Sequence, residues 1–203
     1  MKFLPAGPAA LLVELGTLDE VLALSAEVES RHRLGWCPTL TDVVPGARSL
    51  LLDGLQDPEA TASEIASWQL AATAPRLGAE VEVPCTYDGP DLAFVAKHWG
   101  VAEGEVATVH SALEHRVAFT GFVPGFAYIE GLGERWQVPR RPAPRSSVPA
   151  GSVALASSYT GIYPRTSPGG WQLIGRTDLV LWDELRRPPA LLAPGLAVRF
   201  VPV

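Results

Sequence analysis

The sequence is short of most of the features by which a chain staples itself together, holds a metal or crosses a bilayer. It has two cysteines, Cys37 and Cys85, far apart and outside any C-x-x-C pair. That excludes a disulfide framework and a zinc ribbon, and both thiols read as small buried hydrophobes. No apolar run approaches the roughly 18 residues of a membrane span. Met1–Pro5 carries none of the charged region, apolar stretch and cleavage site of a secretory leader. The expectation is a cytoplasmic chain with no membrane partner. The four histidines fall into no H-E-x-x-H or H-x-H spacing, so no metal site is expected. G-x-S-x-G, the Walker A pattern and G-x-G-x-x-G after a strand are all missing, so no cofactor motif is expected in this chain. Lysine is nearly absent, and 22 acids against 16 bases leave a formal charge of −6. That balance argues against nucleic acid, whose phosphates call for clustered cations.

What is present is enough apolar material for an ordinary core: 203 residues, 47% of them hydrophobic, fit one large or two small domains. The charge is unevenly spread. Residues 1–109 hold 6 bases and 16 acids, whereas residues 110–178 hold 7 arginines against 4 acids.

Up to residue 83 the pattern reads strand, helix, strand, strand, helix, strand. Ala9–Leu15 is a strand, and Thr17 with Glu20 forms a capping box for a helix to about Arg33. Thr39–Val44 and Arg48–Leu52 flank a Pro45-Gly46 turn. Asp57-Pro58 opens a helix through Ala72, and Ala79–Val83 alternates as a half-buried strand. This order is the split βαβ pattern of a ferredoxin-like domain, and a boundary near residue 78 separates domains 1–78 and 79–203. Beyond it, Gly89–Trp99 and Ala102–Leu113 read as helices. Short strands between glycines and prolines follow, as in a barrel or sandwich: Arg116–Thr120, Ser152–Ala156, Gly161–Tyr163, Trp171–Arg176, Leu179–Trp182 and Ala197–Val201.

Three stiff segments stand out: GFVPGFAY (Gly121–Tyr128), PRRPAPR (Pro139–Arg145) and SPGGW (Ser167–Trp171). Glycine admits close backbone approach and proline fixes φ, so such loops present N–H groups and side chains rigidly. Arg140, Arg141 and Arg145 lie in the proline-rich segment, and Arg165 and Arg176 flank the SPGGW loop; guanidinium groups grip carboxylate or phosphate in a bidentate fork. His110, at a helix end before the GFVPGF loop, is the candidate acid–base residue. His98 and His115 read as structural or exposed. The residues alone thus point to an anion groove in the second half and do not reach a reaction.

Those three segments, with VPAGSV (Val148–Val153), TGIYP (Thr160–Pro164) and SPGGWQLIGRT (Ser167–Thr177), resemble the B subunit of the bacterial ATP-dependent 5-oxoprolinase. That family is also described as the sporulation-kinase-inhibitor type and as allophanate hydrolase subunit 1. The resemblance runs through nearly the whole chain. It implies an α+β chain with a ferredoxin-like N-terminal domain and a cyclophilin-like β-barrel. It also implies two partners, the A and C subunits, ATP used by the complex, and a small anionic substrate, 5-oxoproline, opened to glutamate. On it, His110 transfers protons; Arg140, Arg145 and Arg176 hold the anion; and Gly121, Phe122, Pro124, Gly125, Phe126, Gly169 and Gly170 shape the site. The same resemblance leaves open an inhibitor of a sensor histidine kinase, or a component of an allophanate- or urea-processing complex. Tyr159 departs from the family pattern, which usually has Gln there.

Overall fold

The structure, a computed structural model, describes residues 1–70 and 77–203. It is mixed α/β and divides into two compact units, Met1–Arg76 and Leu77–Val203.

The first unit holds β1 (Lys2–Pro5), β2 (Ala10–Glu14), α1 (Leu18–Arg33), β3 (Asp42–Pro45), β4 (Ser49–Asp53) and α2 (Pro58–Ala66). Its sheet has the order β1-β2-β4-β3, antiparallel throughout. The capping box forms as expected: Thr17 Oγ1 accepts the Glu20 N–H, and the Glu20 carboxylate accepts the Gly16 and Thr17 N–H groups. Helix and sheet share one core, with Val21, Leu24 and Val28 of α1 against Val13, Leu50 and Leu52. Asp57 caps α2 through the Ala60 N–H. That helix stops at Ala66 rather than at Ala72; Trp68 turns back into the core and packs edge-on against Trp36. Ala71 and Ala72 of the expected extension lie outside the described residues.

The last strand of the expected split βαβ pattern is corrected. Ala79–Val83 lies in β5 (Leu77–Cys85), which pairs with β13 (Leu196–Pro202) in the second unit. The place beside β2 is taken by β1, a strand the sequence reading missed, in register Phe3 to Val13 and Leu4 to Leu12. Four residues ending in proline gave too little alternation to be read.

The second unit continues with α3 (Leu92–Trp99), α4 (Glu105–Ser111), β6 (His115–Thr120), β7 (Ala127–Glu130), β8 (Arg145–Val148), β9 (Ser152–Ala156), β10 (Tyr159–Ile162), β11 (Ser167–Gly169) and β12 (Gln172–Arg176) before β13. Seven strands form one sheet in the order β12-β9-β10-β7-β6-β13-β5. Its two edges meet where Thr86 and Arg176 exchange backbone hydrogen bonds, both 2.9 Å. The sheet is thereby nearly closed into a barrel, which leaves little open edge.

The side-chain period of two divides this barrel into faces. In β9, Val153 and Leu155 join an interior core with Val117, Ile129 and Phe200, and helices α3 and α4 contribute to the same core. Ala154 and Ala156 point the other way, into an outer cluster with Phe126, Tyr163, Trp171 and Val148. A two-stranded ribbon, β8 with β11, pairs over this outer layer. Leu179–Trp182, expected as a strand, is not one; it joins the fold through a bridge from Trp182 to Ala190. The Arg186 guanidinium reinforces that bridge by donating to the carbonyls of Val180, Leu181 and Pro189.

Candidate functional site

Most of the residues expected to form a site converge on the outer face of the barrel. Gly161 of β10 lies beneath two rings: a Cβ there would come within 2.8 Å of both Phe126 and Trp171. Phe126 and Trp171 meet edge to face at 5.4 Å, and Tyr128 and Tyr163 extend the cluster. Only a glycine lets the rings sit this close to the strand. Gly161→Ala is therefore expected to cost about 1–3 kcal/mol through overpacking, read from the urea midpoint.

The GFVPGF loop closes on itself through Gly121 N–H to Phe126 O, Val123 N–H to Gly121 O and Phe126 N–H to Val123 O. This curl holds Phe122 at φ +67°, in the left-handed region, with the residue 59% exposed. A bulky residue there is strained. An open cleft of about 370 Å³ lies against the loop, with Phe122, Pro124 and Gly125 on one wall and Trp182 and Ala190 on the other. Its lining has no charged side chain.

The arginines sit at the other side of the aromatic cluster. The Arg140 guanidinium lies over the Trp171 ring, 6.0 Å from its centroid. Arg145, at the start of β8, is paired with Gly169 of β11, and the Arg141 N–H donates to the Gly170 carbonyl. Asp91, just ahead of α3, ties these pieces together. Its side chain is buried; Oδ1 accepts from Arg141 and Arg145, 2.9 Å each, and Oδ2 accepts the Leu173 N–H at 2.7 Å. The sequence reading missed Asp91. Its sequence signal is that of an ordinary helix N-cap after Gly89-Pro90, and its partners stand 50 and 54 residues further on.

Two of the expected site residues lie elsewhere. Arg176 is exposed at the barrel closure, where it pairs with Asp88 at 2.9 Å. His110 lies on the opposite side of β10 from the aromatic cluster: it bonds Thr160, whereas Tyr159 and Gly161 face outward. It is wholly buried, with Nδ1 against the Tyr87 hydroxyl at 2.8 Å and Nε2 against Thr160 Oγ1 at 2.9 Å. Phe200 and His115 flank its ring, and His115 Nε2 donates to the His110 carbonyl. Both of its ring nitrogens are engaged inside the core, on the face of β10 away from the arginines.

Burial lowers the pKa of His110 well below the ordinary histidine value of 6.5, and the neighbouring His115 lowers it further; burial lowers His115 too. Both rings are neutral in the folded protein, and the unfolded chain binds the extra protons. Their contribution to stability is complete above pH 6.5 and is lost progressively as pH falls below it. Melting temperature is expected to drop on acidification from pH 7 to 5, with a smaller drop in His115→Gln. Cys85 is inert by the same logic, burial pushing its thiol up to about 12. Among the described residues no group of three or more His, Cys, Asp or Glu side chains is placed to hold a metal ion, and no helix is long and apolar enough to cross a membrane.

The family described as "Carboxyltransferase domain, subdomain C and D" matches residues 1–192. The chain is 42% identical over 204 residues to the 5-oxoprolinase B subunit of Escherichia coli O157:H7, covering 97% of this chain and 93% of that protein. The chain belongs to the 5-oxoprolinase B-subunit family. Among solved structures it is similar to TTHA0988, with a TM-score of 0.80 and 33% identity, over 96% of this chain and 39% of that one. It also resembles the Kluyveromyces lactis urea amidolyase, with a TM-score of 0.74 over 99% of this chain and 15% of that one. At 20% identity, this second likeness speaks for the fold only. The chain thus spans well under half of each of these two structures, whereas it matches the E. coli protein nearly end to end. In this member of the family Arg141 and Arg145 sit with Gly169 and Gly170, and the buried histidine sits apart.

Proposed function

We propose that the chain is the B subunit of an ATP-dependent 5-oxoprolinase complex that opens 5-oxo-L-proline to L-glutamate. The observation that carries this is the end-to-end likeness to a B subunit of that enzyme. On this reading the chain is inactive alone, works in the cytoplasm, and assembles with an A subunit and with a C subunit, the latter having a related barrel. ATP is consumed by the complex.

The same reading treats residues 1–78 as a ferredoxin-like domain whose fourth strand is replaced by β1, and residues 79–203 as a cyclophilin-like barrel. A lactam carbonyl is a poor electrophile, and phosphorylation of its oxygen supplies a leaving group. A site for such a species needs cations for its carboxylate or phosphate and close backbone approach. Arg140 and Arg145 supply the first, and the Gly169-Gly170 turn beside Trp171 the second. The Gly121–Phe126 loop forms the neighbouring wall with its uncharged cleft.

Assembly is the direct test. A tagged copy of this chain, coexpressed with the A and C subunits from the same source, is expected to bring both down in fixed proportion. Recovery of the tagged chain without either partner overturns the reading.

A further inference from the structure

Three guanidinium groups, those of Arg140, Arg141 and Arg145, stand at the outer face with one carboxylate, Asp91, among them. Among the described residues Arg140 has no carboxylate partner. Arg141 Nε and Arg145 Nη1 are buried and have no hydrogen-bond acceptor. The Arg141 and Arg145 side chains are only 33% and 22% exposed. Partly buried positive charge in excess of its counter-charge is unfavourable, and so is a buried N–H without an acceptor.

The Tyr163 hydroxyl lies within electrostatic reach of both Arg140 and Arg145, and Gly169 packs against it. Around that point the segment Pro139–Arg145 is stiffened by prolines and tied to Gly170 by a backbone bond. The arrangement is held together without a ligand, because one buried carboxylate fixes two of the three cations.

We infer that Arg140, Arg141 and Arg145 form a preorganised oxyanion site built on Asp91, which takes a carboxylate or a phosphate group beside the Trp171 ring. Arg141 is thereby a binding residue and Asp91 the positioning residue behind it. The identity of the anion rests on the proposed function; the existence of the site does not.

The site is tested on the full chain alone by calorimetric titration and thermal melting, at fixed ionic strength, with inorganic phosphate, pyrophosphate, acetate and 5-oxoproline. Saturable binding is expected for at least one of them, weakened about tenfold by Arg140→Gln or Arg141→Gln, the loss of one charge-assisted pair. It is expected to be unchanged in Arg199→Gln, whose guanidinium pairs with Glu80 and Glu82 elsewhere. Saturation by phosphate or pyrophosphate alone marks a phosphoryl site; saturation by acetate or 5-oxoproline alone marks a carboxylate site. Arg140 has no hydrogen bond to the rest of the fold among the described residues, so its variant is expected to keep the native melting temperature. The inference is overturned if none of the four anions binds, or if Arg140→Gln and Arg141→Gln bind as the wild type does. Binding that follows the expected pattern, in a chain that fails to assemble with the A and C subunits, keeps the site and overturns the proposed function.

Discussion

Asp91→Ala is expected to lower the unfolding free energy by about 3 kcal/mol, a shift readily measured in the midpoint of a denaturant titration. Breaking a buried ion pair from one side typically costs about 3–5 kcal/mol because it strands the other partner. Here two guanidiniums and the Leu173 N–H lose their acceptor at once. The arginines retain some exposure, which places the expectation at the lower end of that range. The effect is not confined to the arginines. The Asp91 N–H also donates to the Leu173 carbonyl, so the start of α3 and β12 are held to each other in both directions. Asp91→Glu keeps the charge and lengthens the arm, and is expected to recover part of the loss. A wild-type midpoint in Asp91→Ala would mean that the arginines are held by something else.

His110→Ala is expected to cost a comparable or larger amount, about 3–5 kcal/mol, from a cavity among packed rings and two stranded hydroxyls. The neighbours that define the cavity are Phe200 and His115, and the hydroxyls are those of Tyr87 and Thr160. His110→Gln retains an amide able to bond one of them and is expected to lose less. The pair of variants separates two roles. A structural histidine makes the loss of turnover in the assembled complex follow the loss of stability. A proton-transferring histidine would make His110→Gln stable and inactive, and that result would return it to the reaction.

Much of the architecture was legible because it was written locally. The capping box of Thr17 and Glu20, the Asp57-Pro58 helix start and the alternation of Ser152–Ala156 each depend on neighbours within a few residues. What was not legible depends on pairings across the chain. The three residues of β11 become a strand only because β8 pairs with them. The strand of residues 79–83 was read in its proper place but assigned to the wrong sheet, since period-two alternation says nothing about which partner a strand finds. Leu179–Trp182 looked like a strand because its apolar residues suit one, yet its pairing is a single bridge to Ala190, where the Leu181 and Pro189 carbonyls also accept from Arg186.

The candidate site divides along the same line. The glycine- and arginine-rich segments were visible as motifs, and the outer face gathers them. That His110 belongs to the other face follows from the parity of β10, with Thr160 inward and Gly161 outward, which no reading of His110 and its sequence neighbours reveals. Asp91 was hidden for the opposite reason. Its sequence context explains it fully as a helix start, so nothing called for its distant arginine partners.

The central claim is that this chain is a necessary part of a lactam-opening complex. It is tested most directly by ATP-dependent glutamate formation from 5-oxoproline with the A and C subunits, in the presence and absence of this chain. Turnover only when all three are present, with loss of most of it in Arg140→Gln, is the predicted result. Equal turnover by the other two without this chain, or none when all three are combined, would contradict it.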